Sequence, residues 1–239
     1  VDDFDTWKER VEANERGFGG IYDTDRDDYP FADFTVVHIP YCTGDIHWGD
    51  NTVDYGDNEI NHKGYVNAAA VLEWVYQRYP DPSQILVTGC SDGAYGAILH
   101  SAYIADRYPE ARISVLSDSG AGIITDTFFE DSFPNWNAVE NLPPKAERLQ
   151  KDPSTLTSAD LYAGIPNAYP EHRFAHYSSN YDADQTFFFT AMGGEAERWP
   201  GLMRSRMEEV RTDADNFRYY IAPGPMHCIT PYAFMYQRR

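Results

Sequence analysis

The feature that most narrows what this chain can fold into is the pentapeptide Gly89-Cys90-Ser91-Asp92-Gly93. Upstream of it, Gln84-Ile-Leu-Val-Thr-Gly89 reads as a buried strand. Downstream, about Asp92 to Tyr108 carries Ala and Leu throughout and reads as a helix. A serine between glycines at such a junction marks a sharp strand-to-helix turn. Glycines have no Cβ to block the strand or the helix, so the chain reverses tightly and the serine is left exposed at the strand end. The first N–H groups of the helix then point toward it and stabilise negative charge that develops there.

The rest of the chain supplies partners for that strand. Phe34-Thr-Val-Val-His-Ile-Pro40 is a β-branched run ended by proline, predicted as a buried strand. Tyr41 to Asn61, rich in Gly, Asp and Asn, is predicted as a loop. Gly64 to about Tyr79 is predicted as a helix stopped by Pro80-Asp-Pro82. Arg112–Ser117, His172–Tyr177 and Phe217–Ala222 are predicted as further strands. Residues near 120 to 170 form a long insertion with Phe128, Phe129, Phe133 and Trp136; its aromatics suit a cap or pocket wall, or equally packing against the body. Strands alternating with helices imply an α/β fold: one domain over residues 1–239, with a mostly parallel sheet covered by helices on both faces.

Charge narrows the function. Asp and Glu number 38 against 19 Lys and Arg, for a formal charge of −19. That argues against nucleic acid, where basic side chains must neutralise phosphates, and against anionic membrane surfaces. Polyanionic substrates meet a repulsive field. No run approaches the roughly 18 apolar residues of a membrane span. The start, Val1-Asp2-Asp3-Phe4-Asp5, is not a signal peptide and is expected to lie inside a longer precursor. Three cysteines, Cys42, Cys90 and Cys228, leave at least one unpaired within the chain. No Cys-x-x-Cys pair or His-rich cluster suggests a metal, and the chemistry below calls for no cofactor.

A serine nucleophile needs a base, and the base an orienting acid. His227, in Pro223-Gly-Pro-Met-His227-Cys228 just beyond the last strand, is where the base is expected. His38 and His100 fall inside a strand and a helix and read as structural; His47, His62, His172 and His176 fit the chain order less well. Chain order alone permits Asp118, Asp182 or Asp184 as the acid, and a position one strand before the histidine favours the 182/184 pair.

At these residues the chain resembles the pectin acetylesterase and Notum family of serine carboxylic-ester hydrolases, which have the α/β-hydrolase fold. The likeness is carried by Ile39-Pro-Tyr-Cys-Thr-Gly-Asp45, His62-Lys-Gly-Tyr-Val-Asn67, Gly89-Cys-Ser-Asp-Gly93 with Tyr95-Gly96, Asp118-Ser-Gly120, Tyr181-Asp-x-x-Gln185 and His227-Cys228. The resemblance implies that the acid is Asp182, in its Asp-x-x-Gln pattern with Gln185. Asp184 is then a solvated neighbour and Asp118 a structural residue. It also implies a secreted or periplasmic protein. Two departures stand out. Asp92 replaces the small residue that usually follows the serine, and its side chain is expected to point away from the oxyanion that its N–H would hold. The family's Gly-Gly-Gly segment, source of the second oxyanion N–H, has no counterpart before Phe34, so segments are expected to be missing at both ends.

The expected chemistry is two-step acyl transfer by Ser91, His227 and Asp182 on a small acyl ester or an acylated glycan, with Tyr41 and Trp48 as candidate substrate contacts. A polyester depolymerase using the same triad and a non-catalytic binding module on the same fold are the rival readings.

Overall fold

The computed structural model describes residues 19–236. A short antiparallel ribbon, β1 (Asn51–Asp54) and β2 (Glu59–His62), lies within the stretch predicted as a loop. Helix α1 (Gly64–Arg78) follows, and its chain turns at Tyr79 ahead of Pro80, where the helical region is disfavoured. The central sheet consists of β3 (Gln84–Cys90), β4 (Arg112–Asp118), β5 (Arg173–Ser179) and β6 (Phe217–Ala222), adjacent in that order and parallel throughout. Between them run α2 (Asp92–Arg107), α3 (Phe128–Trp136), α4 (Ser158–Ala168), α5 (Ala183–Ala191) and α6 (Trp199–Asp213).

The register sets which side chains meet the core. Ile113 and Val115 on β4, Phe174 and His176 on β5, and Phe217 on β6 share one face and are buried. Helix α2 packs against β3 and β4, α6 against β6, and α4 against both helices, so this face is the dense core. Helix α2 is buried almost all round through Ala97, Ile98, Leu99 and Ala102, which is why its sequence is small and apolar without a polar stripe. Helix α4 begins at a reciprocal cap in which Thr157 and Asp160 bond each other's backbone N–H. Among the described residues, this face is the more deeply covered. On the other, Leu86, Leu116 and Ala175 are half-buried and Tyr220 is exposed.

One expectation changes. Phe34–Pro40 runs without sheet pairing, and Phe34, Val36 and Val37 are exposed. Propensity favours an extended chain there, but a strand needs a neighbouring ladder, and none of the described strands pairs with it. The 120–170 insertion folds into the main core: Phe129, Phe133, Leu142, Leu149, Leu161 and Tyr162 are all buried in it. Packing therefore accounts for its aromatics.

Candidate active site

The carboxyl ends of four neighbouring strands converge. Ser91 follows β3, Asp118 ends β4, Asp182 follows β5 and His227 lies beyond β6. Ser91 has φ 58° and ψ −118°, a left-handed backbone that non-glycine residues rarely adopt. Its strain is opposed by a bond from its N–H to the Asp118 carbonyl at 2.8 Å. Gly89 is required for this turn, because a Cβ there would come within 2.1 Å of the Gly93 carbonyl oxygen. At Gly93 a Cβ would meet open space, so the second glycine of the motif is not a steric necessity here.

Asp182 is fully buried and caps α5 by accepting the Gln185 N–H at 3.0 Å. The Gln185 amide also donates to Asp182 at 2.9 Å and to Ser178 at 2.8 Å, while its carbonyl accepts the Ala121 N–H at 2.7 Å. That network fixes the carboxylate. His227 Nδ1 stands 2.9 and 3.0 Å from the two Asp182 oxygens. A carboxylate only accepts, so Nδ1 carries the hydrogen and Nε2 is left as the basic nitrogen. Burial disfavours the imidazolium, but the Asp182 hydrogen bond and charge, with Asp184 and Asp118 behind, outweigh it and raise the pKa.

Cys90 and Cys228 are joined by a disulfide across 138 residues, with a Cα–Cα distance of 5.8 Å. Each adjoins a site residue, so the bond ties the serine turn to the histidine loop. A ring nitrogen of His227 and both sulfurs lie within 4.8 Å of one another, so the imidazole rests against the bridge. Sulfurs bonded to each other are not free to act as metal ligands. Cys42 is free and exposed.

Other candidates separate. Asp184 is exposed at the start of α5. Tyr41 is half-buried beside this region; its hydroxyl accepts the Ile46 N–H, its ring packs on His47, and burial followed by the Asp92 charge pushes its pKa up. Trp48, the other candidate contact, lies in the core: it is 1% exposed, stacks on Phe129, and donates from Nε1 to the Tyr95 carbonyl. Asp92 follows Ser91 at the start of α2. Its carboxyl is half-buried, with a pKa raised by burial, and it is within electrostatic reach of His227 and Asp45. Of the other buried histidines, His62 bonds Thr43 and Tyr55, and His100 bonds the His47 carbonyl.

A parallel α/β sheet with a strained serine turn and an Asp–His pair at adjacent strand ends defines an α/β-hydrolase arrangement. The sequence profile of the pectinacetylesterase family matches residues 9–156, and the chain belongs to that family. Ser91 lies within the matched stretch; Asp182 and His227 lie beyond it. Pectin acetylesterase 5 of Arabidopsis thaliana is 27% identical over 110 residues, 44% of this chain and 26% of that protein. The Wnt deacylase Notum from Drosophila superposes with a TM-score of 0.57 at 15% identity, covering 82% of this chain and 60% of that one. The chain thus spans about a quarter of the plant relative's length and three-fifths of the Notum chain.

Proposed function

We propose that this protein is a serine carboxylic-ester hydrolase with Ser91 as nucleophile, His227 as base and Asp182 as orienting acid. The observation that carries the reading is the buried Asp182 carboxylate on Nδ1 of an imidazole that a disulfide anchors beside the strained serine. His227 Nε2 takes the hydroxyl proton as Ser91 Oγ attacks the ester carbonyl. Asp182 steadies the imidazolium. The Asp92 N–H, at the open N-terminus of α2, faces the developing oxyanion. The protonated imidazole then gives its proton to the departing alcohol. Water, activated by the same nitrogen, cleaves the acyl-enzyme to release the acid and restore Ser91.

The surroundings favour an uncharged substrate. The formal charge is −19, Asp92 is half-buried within reach of His227, and the side chains flanking Asp182 and His227 in sequence, Tyr181 and Met226, are exposed and uncharged. A neutral or partly acetylated glycan, or a small acyl ester, suits these features better than a polyuronate, and Tyr41 is the retained candidate for a contact with it. A disulfide inside the site suits an oxidising, exported setting. No helix among the described residues is long and apolar enough to cross a membrane. The chemistry proposed draws on no metal or organic cofactor.

The test is p-nitrophenyl acetate hydrolysis with fluorophosphonate labelling, on the protein and on Ser91→Ala. Turnover should fall by about three orders of magnitude or more in the variant, with labelling confined to Ser91 in the parent. Undiminished turnover by the variant sinks the proposal. Acetylated neutral glycan should be deacetylated faster than acetylated pectin; the reverse order overturns the substrate reading.

A further inference from the structure

One buried carboxylate has no part in that chemistry. Asp118 ends β4, between the strand that leads to Ser91 and the strand that leads to Asp182, and is 0% exposed. Its backbone carbonyl accepts the Ser91 N–H at 2.8 Å. Its Oδ2 accepts the Ile229 N–H at 2.9 Å, the Thr230 N–H at 2.8 Å and the Thr230 hydroxyl at 2.6 Å. Its Oδ1 takes the Ser119 hydroxyl at 3.3 Å and shares the Ile229 N–H at 3.2 Å. The Ser119 oxygen in turn accepts the Cys228 N–H at 2.9 Å. The three amides that follow His227 therefore all end on Asp118 or its neighbour, and the serine turn hangs from the same residue.

A buried carboxylate is costly unless donors surround it. Here they do, and they belong to the one loop whose placement decides whether an imidazole meets a serine. An apolar residue at 118 would fill the volume but hold neither the loop amides nor the Thr230 hydroxyl.

We propose that Asp118 is a positioning residue of the acyl-transfer site, registering the His227 loop against the Ser91 turn. This rests on reading Ser91, His227 and Asp182 as that site. Burial raises the Asp118 pKa, and the Thr230, Ile229 and Ser119 donors work against that by favouring the ionised form; an asparagine amide would place a donor against them. The charged groups facing His227 are Asp182 at the cap of α5, Asp184 from α5, Asp118 from β4 and Asp92 from α2. Removing the Asp118 charge therefore lowers the imidazole pKa as well as loosening the loop.

The experiment compares the parent protein with Asp118→Asn and Thr230→Val. Steady-state kinetics on p-nitrophenyl acetate and a pH titration of the His227 ring protons by NMR are measured for each. For Asp118→Asn, kcat should fall about 100-fold with KM changed less than about threefold, the pattern of a misplaced base rather than lost binding. Its His227 titration should move to lower pH. Thr230→Val, which removes one donor and leaves the charge, should lower kcat about 10-fold. An Asp118→Asn protein with parental kcat and an unmoved titration overturns the proposal. If that variant does not fold, parental kcat and titration in Thr230→Val overturn it instead. A parent protein that neither turns over nor takes the fluorophosphonate refutes the acyl-transfer reading alone. The ring titration then still decides whether Asp118 holds His227, with an unmoved value counting against it.

Discussion

Opening the Cys90–Cys228 bond offers a quantitative trial of the architecture. The bridge closes 138 residues, and in the chain-entropy account a loop of that size restricts the unfolded chain by about 5 kcal/mol at room temperature. For a protein of this length that corresponds to a melting temperature about 10–20 °C higher than without the bridge. The assay is thermal unfolding followed by circular dichroism, with and without a phosphine reductant, alongside Cys90→Ala/Cys228→Ala. A Cys42→Ser background prevents the exposed third thiol from exchanging with the pair. Reduced protein and double variant should melt together, well below the oxidised parent. Because Asp118 and Ser119 still hold residues 228–230, both should keep native far-ultraviolet signal at low temperature. A drop smaller than about 3 °C would refute the loop-closure reasoning, by showing that the unfolded chain is already confined or the bridge is not formed.

Four further outcomes follow from the geometry. The raised His227 pKa places the ascending limb of kcat/KM above pH 6.5, since the base must be neutral, and Asp182→Asn should lower that limb and cut kcat about a thousandfold, checked by pH-rate profiles. The same shift means that the Asp182–His227 pair contributes its stability in full below pH 6.5 and loses it as pH rises through the raised value, which melting curves across that range would follow. Trp48→Ala should cost about 3–5 kcal/mol in urea unfolding while leaving KM of the folded fraction unchanged, as befits a core residue. Gly89→Ala should lose about 1–3 kcal/mol or more and all fluorophosphonate labelling, whereas Gly93→Ala, which meets open space, should keep both.

The serine turn and its flanking strand and helix were readable because each local signal agreed: an apolar β-rich run, a glycine where the Gly93 carbonyl leaves no room, then a small apolar helix. The other three parallel strands were readable for the same reason, and chain order pointed to His227. The acid was narrower in sequence than in space, since Asp118, Asp182 and Asp184 all end up near the same strand ends and only contacts separate them. What local pattern could not reveal was pairing. Phe34–Ile39 has strand composition but no described ladder beside it, and β1–β2 is a polar ribbon without the apolar alternation that announces a hairpin. Trp48 sits among Gly and Asp residues that read as exposed loop, yet Phe129 and Phe133, more than eighty positions away, cover it. The cysteine bridge and the loop-holding carboxylate of Asp118 likewise depend on distances across the fold that spacing along the chain does not encode.

Asp182 is at once the start of a helix and the partner of an imidazole, and its Oδ1 serves both. Mutational drift at this position is thereby closed from two directions. Serine or threonine, ordinary substitutes at a helix start that keep most of a cap worth about 1 kcal/mol, would preserve α5 and lose the charge that steadies His227. Glutamate would keep the charge and, with a longer stem, give up the cap. Compensating changes elsewhere in α5 can restore folding but not the lost partner. In a library scored separately for expression and turnover, position 182 should therefore show many variants that express and none that work, whereas at Gly89 the two scores should fall together.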